Sequence, residues 1–247
     1  MVEFSYTYIY IQLRKDGDIL ISIEPFVYFK KISIINLEEM IEYFKQLESN
    51  TTNHTEVFYD FESSMESMKV SYFRKVNSLD LSVDSSTQEI IPEHSPNILR
   101  SEIIINFSNE TLIVWGRPNI VKFLNVHLNN NPYYKIFDKT IDFYSYFDNF
   151  NIFDPEITEV SFNDINVIGK YISTASLTIS NTTDALFLIN NLGAKVSKVR
   201  VKLYSKQNDF VELNTDLEKG IIKLNLPIAN KVFIEDIKSE INNLKLG

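Results

Sequence analysis

The chain opens on a two-residue period. Phe4, Tyr6, Tyr8 and Tyr10 fall on one side, and Ile9, Ile11 and Leu13 on the other. That is the pattern of a strand with both faces apolar. A polar turn over 14–18 leads into a second predicted strand over 19–23. The period then changes. Leu37, Met40, Ile41, Phe44 and Leu47 recur at helical spacing. Asn36 stands ahead of them as an N-cap, with Glu39 three residues on, where a capping box places its partner. Strands are predicted over 56–61, 68–75 and 78–83.

Residues 84–97 read DSSTQEIIPEHSPN, polar and proline-punctuated, as a connection reads. The division expected from this is an N-terminal α+β lobe over 1–84, a linker over 85–97 and a C-terminal α+β lobe over 98–247, the alternative being a long connection inside one domain. Past it, predicted strands over 102–107 and 111–115 flank the turn Ser108-Asn109. Pro118 suits the first turn of a helix whose stripe is Ile120, Phe123, Leu124 and Leu128. A strand pair over 160–168 and 170–179 breaks at Gly169. Asn181 then caps a helix with Asp184 three residues on, Ala185, Leu188, Ile189 and Leu192 as its stripe, and Gly193 at its end. Strands are predicted over 196–204, 209–213 and 220–226, and a last helix carries Phe233, Ile237, Ile241 and Leu244 on one face. Strand–strand–helix thus occurs three times. The fold class this predicts is α+β, with mainly antiparallel sheets and helices packed on one face. Strands that arrive in pairs do not suit alternating βαβ units.

Composition removes whole chemistries. The 247 residues include no cysteine, which excludes disulfides, thiolate nucleophiles and cysteine metal sites. The six glycines never come closer than 24 positions, so no backbone cradle for phosphate exists and no nucleotide cofactor is expected. His54, His94 and His127 show no metal-ligand spacing. His127 lies beside Leu124 and Leu128, which predicts a partly buried helix histidine bonded to a backbone carbonyl, the alternative being a general base. The start, Met1-Val2-Glu3-Phe4, shows no basic leader, and no stretch approaches the roughly 18 apolar residues of a membrane helix. A cytoplasmic location is expected, with no membrane partner. Ile, Asn, Phe, Tyr and Lys are abundant, whereas alanine occurs only at Ala175, Ala185, Ala194 and Ala229. That bias points to an AT-rich coding sequence such as that of a low-GC bacterium or phage.

Thirty-three acids against 24 Lys and Arg give a formal charge of -9, a poor general balance for binding nucleic acid. Two segments depart from the average. Lys198, Arg200 and Lys202 alternate with Val199, Val201 and Leu203. They make either an anion-binding stripe or an exposed edge strand defended by lysines. Residues 133–153 are crowded with aromatics, among them Tyr144, Tyr146, Phe147 and Phe150. The stretch 141–169 holds six acids and no Lys or Arg. Exposed rings there are candidate partner anchors, the alternative being an irregular segment folded over the sheet with rings inward and aspartates outward, and the opposite charges of the two segments suggest self-association. The best-placed carboxylate pair is Asp60 with Glu62. Strand alternation puts both on one face, where they are weak candidates for holding Mg²⁺. Asp236-Ile237-Lys238 carries the nuclease-like spacing but falls on a predicted helix. The expected function is that of a non-enzymatic interaction protein: an accessory subunit, an assembly factor or an immunity-type binder. A metal-dependent hydrolase or nuclease using Asp60 and Glu62, and a nucleic-acid-contacting subunit using Lys198, Arg200 and Lys202, are the alternatives.

Overall fold

The computed structural model describes residues 26–49, 55–83, 90–129, 131–167, 170–179, 181–192, 195–206, 209–225 and 231–244. The strands predicted over 4–13 and 19–23, and Gly169 and Gly193, lie outside the described residues. The class is α+β with antiparallel strand pairing and helices packed against sheet. The chain forms two compact units, one of residues 1–31 with 137–247 (unit 1) and one of residues 32–136 (unit 2). It passes between them within β1 (Phe26–Ile34) and within β6 (Tyr134–Asp138).

Unit 2 contains α1 (Leu37–Ser49), β2 (Glu56–Ser63), β3 (Ser67–Val83), β4 (Ile90–Asn106), β5 (Thr111–Gly116) and α2 (Pro118–Asn129). The start of α1 is as predicted, because Asn36 Oδ1 accepts from the Glu39 amide at 3.2 Å. Half of the capping box is replaced, since the Asn36 amide donates to the Tyr133 carbonyl instead. The two strands expected over 68–75 and 78–83 are one strand, β3. Residues 90–97, within the segment read as a connection, pair with 76–83 of β3. A partner strand in register outweighs the local preference of proline and polar residues for turns. All six residues of β5 are buried. Met40 and Phe44 of α1, Phe58, Tyr72 and Ile103 of the strands, and Ile120, Leu124 and Leu128 of α2 are buried with them. Phe123, expected in that stripe, is 36% exposed and lies 3.9 Å beneath the Arg74 guanidinium.

Unit 1 contains α3 (Phe143–Asn149), a 3-10 turn (Asn151–Phe153), β7 (Glu156–Val167), β8 (Lys170–Thr178), α4 (Thr182–Leu192), β9 (Lys195–Tyr204), β10 (Phe210–Asp216), β11 (Ile221–Asn225) and α5 (Lys231–Asn242). The order across the sheet is β1-β11-β10-β9-β7-β8. Helix α4 begins where Asn181 predicts, its Oδ1 accepting from the Asp184 amide at 2.8 Å. Alternate positions make one side of the sheet: Val199, Val201 and Leu203, then Val211, Leu213 and Thr215, then Ile222 and Leu224, all buried. Tyr146 of α3 meets Thr215 on that side, and Asn149 ties α3 to the Glu240 carbonyl of α5 at 2.9 Å. Among the described residues, no helix is long and apolar enough to cross a membrane.

The turn between β10 and β11 depends on Gly220, at φ +63. Its carbonyl accepts from the Phe29 amide at 2.7 Å. A Cβ there would stand 2.5 Å from the Lys139 carbonyl oxygen and 2.8 Å from that of Phe29. Both are backbone atoms that cannot swing aside. Gly220→Ala is therefore expected to cost at least about 2 kcal/mol, from left-handed backbone and steric overlap together. Urea unfolding of the full chain measures it.

Candidate functional site

The positions that alternate with the buried ones form the outward side of the unit 1 sheet, and strand register sorts them into rows. One row runs Ser176, Ser161, Lys198, Asp216, Ile221 and Tyr28. The next runs Thr178, Glu159, Arg200, Asn214, Lys223 and Phe26. A third runs Glu156, Lys202, Glu212 and Asn225. Lys198, Arg200 and Lys202 do share one face, as alternation predicts. Their strand, however, is interior, between β7 and β10, so the edge-defence reading is corrected. A paired strand has no free edge to protect.

Nor is the basic stripe a bare one. Arg200 Nη1 lies 3.1 Å from Glu159, and its Nε lies 2.7 Å from Asn214 Oδ1 and 3.8 Å from Glu212. Lys202 Nζ stands 5.6 Å from the Phe210 ring centre. Lys198 Nζ is 3.9 Å from Asp216, which also takes Lys219 Nζ at 3.6 Å and the Lys219 amide at 3.0 Å. Glu156 accepts from the Tyr204 hydroxyl, and that bond, ahead of burial, pushes the tyrosine pKa up to about 12. Over the three rows, Lys198 meets Asp216, Arg200 meets Glu159, and Lys202 meets Glu156 and Glu212, while Lys223 faces Asn214 and Phe26. Opposite charges on neighbouring strands are the favourable cross-strand pairs. Two acids of the segment 141–169, Glu156 and Glu159, thus stand against Lys202 and Arg200 within unit 1. The neighbours Glu159, Glu212, Asp216, Lys219 and Lys223 are missed by a reading of β9 alone. Each of their strands alternates legibly, but register is not a local property. At the β10–β11 end the face dips into a depression of about 300 Å³ lined by Lys198, Arg200, Lys219, Lys223, Glu159 and Asp216 among others.

The aromatic segment is largely internal. Tyr146 and Phe150 are 0% exposed and Phe147 is 9%. Of the four candidate anchors only Tyr144 reaches the surface, half exposed, its hydroxyl donating to Asn190 Oδ1 at 2.7 Å. The segment folds as α3, started by Asp142, whose carboxylate accepts from the Ser145 amide at 2.9 Å. The helical turn aims Tyr146, Phe147 and Phe150 inward. Thr215 donates to the Tyr146 hydroxyl at 2.7 Å, and burial pushes that hydroxyl's pKa up against this bond. These three rings are core, and no partner can reach them in the folded chain.

Asp60 and Glu62 are both exposed, at a bulge between Tyr59 and Glu62 where Asp60 takes φ +62. The extra residue breaks the alternation on which their pairing rested. Among the described residues, no group of three or more His, Asp or Glu side chains could hold a metal ion.

Unit 2 holds a cluster that the sequence does not announce. Glu56 faces Arg74 across β2 and β3. Its Oε2 accepts from Arg74 Nη1 at 2.8 Å and from the Tyr72 hydroxyl at 2.9 Å, and its Oε1 lies 3.2 Å from His127 Nε2. His127 is partly buried, as expected, but its ring partner is this carboxylate and not a backbone carbonyl. Burial pushes the Glu56 pKa up, but Tyr72, His127 and Arg74 together outweigh it and hold the carboxyl below the ordinary range. A carboxylate so stabilised is a weak base. The cluster pins α2 to the sheet.

Set against known proteins, the chain matches no family model and no curated protein.

Two outcomes follow from this geometry. Phe150→Ala is expected to lower stability by about 3–5 kcal/mol, as loss of a buried ring does, while Tyr144→Ala costs under about 1 kcal/mol. Denaturant titration of both variants checks this. Because the Glu56 pKa is depressed on folding, its contribution is complete above the ordinary glutamate value, about 4.3. It is lost as pH falls through the folded value. Glu56→Gln is expected to cost about 1–3 kcal/mol at neutral pH. It also flattens the acid limb of stability against pH below about pH 4.3.

Proposed function

We propose that this chain is a non-catalytic interaction protein, an accessory subunit or assembly factor, that recognises a protein partner across the outward side of the unit 1 sheet. The observation that carries the reading is the charge array on that side. Lysines, arginine, glutamates and an aspartate stand in alternating register, flanked by Phe26, Tyr28 and Phe210. Cross-strand pairing holds these side chains in place before any partner arrives. A preordered polar surface loses less side-chain freedom on docking, and its charge pattern selects the partner and its orientation. The absence of cysteine suits the reducing cytoplasm.

The alternatives draw less support. The three rows hold four cations and four carboxylates, and a phosphate backbone crossing the face needs a cation surplus along its whole path. Asp60 and Glu62 lack the shared face that metal-dependent hydrolysis requires of them.

Photo-crosslinking amino acids placed at Ser161 and Asn214 of the full chain test the proposal in cells. Both positions are expected to trap the same protein species, and a crosslinker at the exposed Glu38 of α1 is expected not to trap it. No adduct at either position, or the same adducts at all three, overturns the contact face.

A further inference from the structure

We propose that the partner presents an acidic polypeptide segment, and that its carboxylates seat in the depression at the β10–β11 end of the face, among Lys198, Lys219 and Lys223. This rests on the contact reading above and names the chemistry of the occupant.

The charges of the face are unevenly spread. In the row of Glu156, Lys202 and Glu212 the carboxylates outnumber the lysine. Around the depression the balance reverses, with Lys198, Arg200, Lys219 and Lys223 against Glu159 and Asp216. Those two carboxylates are already shared out. Glu159 is engaged by Arg200 at 3.1 Å and by the Ser176 hydroxyl at 2.8 Å. Asp216 stands between two ammonium groups, at 3.6 and 3.9 Å, and also accepts the Lys219 amide. Lys223 approaches the Phe26 ring at 5.8 Å and has no carboxylate within ion-pair distance among the described residues. The side chains of Lys198 and Lys219 are 61% and 70% exposed.

A chain with formal charge -9 therefore keeps a local cation surplus in a concavity with an aliphatic side chain, Ile221, in its lining. Lysines on flexible stems close around an entering carboxylate without backbone movement. The ions stay partly wet, so attraction sets encounter rate and orientation, with modest gain per pair. A polynucleotide long enough to leave the depression runs onto the Glu156 and Glu212 row and is repelled there. A polypeptide can carry acidic groups over the lysines and neutral or basic ones over that row.

The test uses the full chain with a fluorescent oligoglutamate peptide, an oligolysine peptide and a single-stranded oligonucleotide, followed by anisotropy. Oligoglutamate is expected to bind, more weakly as salt rises, and oligolysine is expected not to compete. The Lys198→Gln, Lys219→Gln, Lys223→Gln triple variant is expected to weaken binding about tenfold with an unchanged unfolding midpoint. Lys202→Gln, in the acidic row, should leave binding within about twofold. Binding that is absent, or insensitive to the triple variant, overturns the inference, as does tighter binding of the oligonucleotide. The crosslinks from Ser161 and Asn214 separate the two levels: if they persist while oligoglutamate fails, only the acidic occupant falls.

Discussion

The register of β9 between β7 and β10 is the constraint on which the surface of unit 1 depends. Once Val199, Val201 and Leu203 are buried, the alternating pleat turns Lys198, Arg200 and Lys202 outward. Register then fixes what each cation meets: Glu159 and Asn214 for Arg200, Asp216 for Lys198, Glu156 and Glu212 for Lys202. A slip of one residue would bury charge and expose the valines. Burial of the apolar side and pairing of the polar side therefore select the same alignment. The hydrophobic term supplies most of the energy, because exposed ion pairs contribute little each. The pairs contribute order, holding the charge pattern in place.

The same logic, with less solvent, operates in unit 2. Glu56 and Arg74 are cross-strand partners, and α2 brings His127 to the remaining carboxylate oxygen. Partial burial makes each polar group dependent on its neighbours. Tyr72, whose hydroxyl burial and Glu56 together push up to about pKa 12, stays a hydrogen-bond donor throughout the physiological range.

Across the three rows on the outward side of unit 1, four cations stand with four carboxylates, but the balance differs from row to row. The surplus lies at the β10–β11 end, where Lys219 stands in the turn and Lys223 of β11 faces Asn214 and Phe26 instead of a carboxylate.

The sequence alone determined the class and much of the local structure. Apolar periodicity located α1, α2, α4 and α5, Asn36 and Asn181 marked two helix starts through their own side chains, and alternation put Lys198, Arg200 and Lys202 on one face. These are short-range properties, fixed by backbone geometry within one turn or a few strand residues. Tertiary structure alone decided the rest. It made 90–97 strand, because a partner was in register. It turned Tyr146, Phe147 and Phe150 inward through the pitch of a seven-residue helix. It gave the basic stripe its carboxylates, from strands tens of residues away or just beyond a turn. It broke the alternation of Asp60 and Glu62 with one inserted residue. Which neighbour a side chain meets depends on strand order and register, and no window along the chain contains that information.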